Sequence, residues 1–295
     1  MADLTHFMQL KRSAAIWAAW RSQHPEVLPD LSEIEFDGVD LIGVDLSRVN
    51  LCRSSLRWSE LIGANLSHAK LNKAVLHQTK FINANLQFAE FIDASLIGAN
   101  FREADLSYAN LIGADLKQAN FNYADLTGAN LIGTELRSST FKQAELTEAD
   151  LRRTDLSQAI LVKANLAETN LSDANLYEAE LSEAKLYRAN LYRAKLVRSH
   201  FVSAELYRVD LRGADLTNAD LSWANLSKSD LSGANLMSAN LRGANLAGAN
   251  LTGANLEETC LRGASLKKAN LTNANLSEAN LELVDLRDCL GLTVG

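Results

Sequence analysis

Proline occurs only at Pro25 and Pro29, and cysteine only at Cys52, Cys260 and Cys289. Cysteines so few and so scattered make no disulfide framework, so a reducing cytoplasm is the expected location. No apolar run approaches the ~18 residues of a membrane span, which leaves no membrane role expected. The short apolar stretch 13–20 follows Lys11-Arg12 as a signal segment would. Trp20-Arg21 then follows without a small-residue cleavage site, so no cleaved signal is expected. Histidine is sparse too: His6, His24, His68, His77 and His200 form no His-x-x-His or Glu-x-x-His spacing, and no Cys-x-x-Cys occurs. That excludes the usual metal-ligand patterns. Neither a phosphate-cradling nor a dinucleotide glycine fingerprint is present. No catalytic, cofactor or metal residues are assigned, and the chain is not expected to be an enzyme.

What the sequence does have is a ruler. From Leu31 to Leu286 every fifth residue is Leu or Phe, giving 52 repeats in unbroken register, 45 centred on Leu and seven on Phe (36, 81, 91, 101, 121, 141, 201). Call the centre i. Position i−2 is small, mostly Ala with Ser, Thr, Val or Ile as substitutes, and i−1 is most often Asn or Asp. In a continuous α-helix, five residues advance about 140° net, so the leucines would spiral around every side. In a flat strand they would alternate faces, because five is odd. The pattern fits if each repeat holds its own corner. Positions i−2, i−1 and i form a short extended segment pointing in, out, in, and i+1 and i+2 turn outward. Repeated corners coil the chain into a β-solenoid cored by Leu and Ala. A small residue at i−2 avoids overpacking the narrow interior. Asn or Asp at i−1 bonds to nearby backbone. Gly at i+2, as at Gly43, Gly63, Gly98, Gly113, Gly128 and Gly133, suits a corner needing positive φ.

The unit A-(N/D)-L-x-x, as in Ala244-Asn245-Leu246-Ala247-Gly248, resembles the pentapeptide repeat family of bacteria and cyanobacteria, over essentially all of 31–286. Trp17-x-x-Trp20-Arg21 before Pro29-Asp30-Leu31 is similar to the opening of many bacterial members. The resemblance implies an all-β fold, a right-handed quadrilateral β-helix with four repeats per coil. That gives about 13 coils and, at roughly 4.8 Å per rung, a rod about 60 Å long.

Three segments are expected: an N-terminal capping helix and linker over 1–29, the repeat β-helix over 30–288, and a tail over 289–295. Phe7, Leu10, Ala14 and Trp17 recur at helical spacing, with Trp20 close to the stripe. This segment reads as a lid over the first coil, whose core and β edge are otherwise bare; the alternative is a docking helix for a partner. At the other end, either Leu290, Leu292 and Val294 fold over the last coil or a second subunit covers it. Relatives that pair through their last coil imply a monomer or an end-to-end homodimer.

Function must then be written on the outward columns. If four repeats make a coil, Ile42, Ile62 and Ile82 stack, as do Ile92, Ile112 and Ile132; these apolar columns read as contact surface or as ladder filling. Phe88 stacks above Tyr108, with Tyr123 and Trp223 at equivalent sites. The main candidate interaction surface is Tyr187, Arg188, Tyr192, Arg193, Arg198, Tyr207 and Arg208. Tyr and Arg are favoured at binding hot spots, and the bland alternative is a solvated face. The family resemblance implies a rigid scaffold or regulator that contacts an unknown protein partner, as one relative does in heterocyst differentiation. It also implies two alternatives: a DNA mimic that binds DNA gyrase, or a purely structural rod. The net charge of −7 bears on the mimic, since a duplex of ~60 Å carries about 35 negative charges. Direct nucleic-acid binding is not expected.

Overall fold

The computed structural model describes residues 3–291. Its backbone contacts divide the chain into two compact units, Met1–Thr140 and Phe141–Gly295, each built on the same rule. Within both, i−1 residues pair in parallel with their counterparts four repeats on, as Asp45 does with Asn65 and Lys185 with Glu205. Four repeats therefore close one coil. The pairing is one residue wide on each side, so the sheets are stacks of single rungs. The centre N–H donates to the i−1 carbonyl of the next coil (Leu166 N to Lys185 O, 2.7 Å), and the i+2 N–H donates to the next i+1 carbonyl (Glu168 N to Tyr187 O, 2.8 Å).

The corner is a four-residue turn closed by the N–H of the next i−2 residue on the centre carbonyl, as in Ala184 N to Leu181 O, 3.0 Å. In all 52 repeats the i+2 residue has φ between 54° and 69°, although only 13 of these residues are Gly. Positive φ at the second corner residue is the type II signature. Glycine is thus one solution to the corner, and Arg, Glu, Lys and aromatic residues adopt it as well.

The i−2 and i positions fill the interior. Leu166, Leu186 and Ala184 have no exposed surface. Where Ser or Thr replaces Ala, the hydroxyl donates to a centre carbonyl, as from Thr169 to Leu166 O at 2.6 Å. Among the described residues no buried side-chain polar atom lacks a partner. In the first unit Phe81, Phe101 and Phe121 stack one above another at 4.9 and 4.8 Å, and Phe91 meets Phe81 and Phe101 edge-on. Phe36 is only partly buried, because it lies in the first coil, where Phe7 packs against it edge-on at 5.1 Å.

The N-terminal segment is two helices, α1 (Leu4–Arg12) and α2 (Ala14–Gln23), where the hydrophobic spacing predicts one. Ser13 breaks it: its backbone is extended and its Oγ accepts from Ile16 N, so it caps the start of α2. Leu10 and Trp17 are buried, but Ala14, expected in the same stripe, is exposed. Polar contacts tie the segment to the first coil. Trp17 Nε1 donates to Asp45 O at 2.7 Å, Arg21 donates to Ser47 O at 2.9 Å, and Asp3 N donates to Asp30 O at 3.0 Å.

At the other end Leu276, Leu281 and Leu286 are partly exposed. Leu290 does not fold over them. It adds a rung beside Asn270, with 62% of its surface exposed, because an i−1 position points outward. Leu292 and Val294 lie outside the described residues.

Candidate functional site

Within Phe141–Gly295, the four-repeat coil sorts the candidate residues into corner columns. Tyr187 and Tyr207 hold the i+1 place in successive coils on the side that begins at Leu146. Their rings stack at 5.8 Å and 11°. Arg188 and Arg208 follow at i+2, with guanidinium carbons 5.5 and 5.3 Å from the rings of Tyr187 and Tyr207. Lys228, one coil further on, places Nζ 5.7 Å from the Tyr207 ring. A hydrogen bond with Lys228, and the positive charges of Arg208 and Lys228, pull the Tyr207 phenol below its usual range.

The other candidates sit elsewhere. Tyr192 and Arg193 belong to the next corner, on the side that begins at Leu151, and Arg198 to the corner after that. The seven residues therefore occupy three columns rather than one patch. Tyr192 packs under Arg212, 5.5 Å away, whose Nε and Nη2 fork onto Asp210 at 2.9 and 2.6 Å. Arg193 faces Asp173 at 3.8 Å, and Arg198 faces Glu178 at 3.6 Å and Tyr177 Oη at 3.4 Å. Arg188 faces Glu168 at 3.5 Å. Asp173, Glu178 and Glu168 each lie one coil before their arginine, so coil stacking selects the partner.

Lys228 is the residue that the sequence reading missed. Its column neighbour at i+1 is Ser227 rather than a third Tyr, so the aromatic pattern ends one coil early, although its place one coil after Arg208 was a usable signal. Next to the Tyr187–Tyr207 column lies a shallow groove of about 630 Å³, bordered by Lys163, Glu183, Lys185 and Glu205, with Lys163 and Glu183 paired at 3.3 Å.

The apolar columns lie within Met1–Thr140. Successive isoleucines share the corner ladder, as Gly63 N donates to Ile82 O at 2.8 Å and Asp93 N to Ile112 O at 3.0 Å. Ile42 is half exposed, and Ile62, Ile82, Ile92, Ile112 and Ile132 are part-buried. The aromatic stack on Phe88 is longer than its sequence suggests. His68, Phe88 and Tyr108 lie nearly parallel at 4.9 and 5.3 Å, and the Tyr108 ring covers Gly128 so closely that a Cβ there would meet it at 2.6 Å. Among the described residues no group of three or more His, Cys, Asp or Glu is gathered tightly enough to hold a metal, and no helix is long and apolar enough to cross a membrane.

A family model for pentapeptide repeats matches 29–57, 59–96 and, in overlapping segments, 85–288. The chain belongs to the pentapeptide repeat family. Among solved structures this pentapeptide repeat protein is similar to HetL of the cyanobacterium Nostoc sp. strain PCC 7120, a family member involved in heterocyst differentiation regulation. The identity is 32%, over 86% of this chain and 90% of HetL, with a TM-score of 0.34. It is also similar to Rfr23 of the cyanobacterium Cyanothece 51142, at 34% identity over 38% of this chain and 63% of that one, with a TM-score of 0.29. Full-length QnrB1, a plasmid-mediated fluoroquinolone resistance protein, matches at 17% identity over 86% and 92% of the two chains, with a TM-score of 0.24. No curated protein matches the chain. Membership of the family carries the β-helix solenoid with it, right-handed in this family.

Proposed function

We propose that this pentapeptide repeat protein is a non-enzymatic interaction scaffold that presents rigid outward columns to a protein partner. The supporting observation is the Tyr187–Tyr207 stack with Arg188, Arg208 and Lys228 along it. Ordered aromatic rings and guanidinium groups present contact area with little entropy left to lose on binding. Tyr192, Arg193 and Arg198 extend the surface around the next two corners, and the isoleucine columns form a secondary surface. The finer reading of the fold belongs to the same proposal: about thirteen coils, with α1 and α2 as the cap of the first. So do a cytoplasmic location and a monomer or end-to-end homodimer.

The test is capture of partners from the source cell with tagged protein. Replacing Arg188, Arg193 and Arg208 together by Glu should abolish capture while the circular dichroism spectrum stays unchanged. Undiminished capture by that variant would sink the proposal.

A further inference from the structure

Most cations around this surface are neutralised by an acid. Arg188 has Glu168, Arg193 has Asp173, Arg198 has Glu178, Lys163 has Glu183, and Arg212 has Asp210. Arg208 and Lys228 are different. One coil before Arg208 comes Arg188, and one coil after it comes Lys228, so three cations follow one another in a single corner column. Both Arg208 and Lys228 lie against the Tyr207 ring, and neither forms an ion pair among the described residues.

Like charges stacked in a ladder are destabilising, and this column keeps them without a carboxylate between them. On the same side Lys185 adds a further cation, and the nearby acids are Glu168, which is held by Arg188, and Glu205; Lys185 and Glu205 are both exposed. Of the acids at the flanking corners, Glu183 and Asp210 are already held by Lys163 and Arg212, and Asp230 accepts from Ser232 N and Asn250 Nδ2 and adds its charge to that felt by Arg212. The patch is thus locally cationic on a chain whose net charge is −7.

We propose that the column of Arg188, Arg208 and Lys228, edged by the Tyr187–Tyr207 stack, binds an acidic segment of a protein partner through its carboxylates. Three successive coils make a cationic row about 10 Å long, room for more than one carboxylate. Guanidinium groups suit carboxylates through paired hydrogen bonds. A long nucleic-acid polyanion fits less well, because the row is short and the rest of the chain carries an acidic excess that would repel it. This inference rests on the scaffold reading above and specifies the chemistry of its partner.

The probe is a fluorescein-labelled decaglutamate peptide titrated with the full chain and followed by fluorescence anisotropy. Saturable binding that weakens with added salt is expected. Arg208→Glu with Lys228→Glu should weaken it at least tenfold, and Arg208→Gln with Lys228→Gln should also weaken it. Arg153→Glu, at an exposed corner outside the patch, should leave it unchanged. Absence of saturable binding, equal loss in the Arg153→Glu variant, or tighter binding of a labelled DNA oligomer at the same salt concentration would each overturn the inference. If decaglutamate fails to bind while the Arg188, Arg193 and Arg208 variant still loses its partner, the surface stands and only the acidic chemistry falls. If decaglutamate behaves as expected while partner capture survives that variant, the scaffold reading falls instead.

Discussion

At position i+2 the backbone asks every side chain for the same left-handed conformation. L-residues other than Gly adopt it at a cost of roughly 1 kcal/mol, and it persists here because the turn bond and the coil-to-coil bonds on both sides fix it. Gly133 shows the conformational cost in isolation, since nothing lies within 4 Å of where a Cβ would sit. Gly133→Ala should destabilise by about 1 kcal/mol. Gly243→Ala should cost more, because its Cβ would meet the Trp223 ring at 2.4 Å. Urea unfolding of the two variants checks both the sign and the order. A second prediction concerns Asp285. Hydrogen bonds from the Arg287 side chain, then one from the Arg287 backbone N–H, lower its carboxyl from the usual 3.8 to about 2. A lowered folded-state value means that the stabilisation is complete above the ordinary carboxylate range and is lost as pH falls through about 2. The Asp285 carboxyl titration followed by NMR should show this low midpoint, and Arg287→Ala should raise it.

At the scale of the repeat, the inside is intolerant and the outside is permissive. Leu166 is fully buried, and an inward Leu contributes about 1.5–3 kcal/mol by burial. Leu166→Asp puts an unpaired charge in the core and should disrupt the stack, whereas Gln143→Ala, at an exposed corner, should melt like the wild type. A Leu166→Asp variant with wild-type thermal unfolding would contradict the inward assignment. Exposure does not follow from the repeat position alone, however. Ser157, an outward residue at i+1, is only 7% exposed. The core columns were legible in the sequence because size and polarity sort strictly between a narrow interior and water. The coil length was not, since a period of five fixes a corner without fixing how many corners close a turn. The family resemblance implied four, and the pairing of rungs four repeats apart within each unit shows it. The break at Ser13 was hidden because Lys11-Arg12 and Ala14 also fit a single amphipathic helix. The candidate site was legible in part: its stacked pairs follow from spacing, but its spread over three corners needs the coil to be closed.

For the molecule as a whole, charge is the quantity that separates functions. A net −7 spread over 295 residues falls far short of a duplex, which carries one negative charge per about 1.7 Å. A gyrase supercoiling assay with a quinolone is therefore expected to show no protection by this chain; protection at stoichiometric amounts would restore the mimic. The pairing at four repeats also gives the chain something like a reading frame. Because every centre is Leu or Phe, removing one whole repeat leaves the interior readable, yet it rotates everything downstream by a quarter turn. Deleting 196–200 would bring Arg212 beneath Tyr187 and carry Tyr207 to a neighbouring corner. Loss of a single repeat would thus rewrite the surface wholesale, where loss of a full coil would only shorten it.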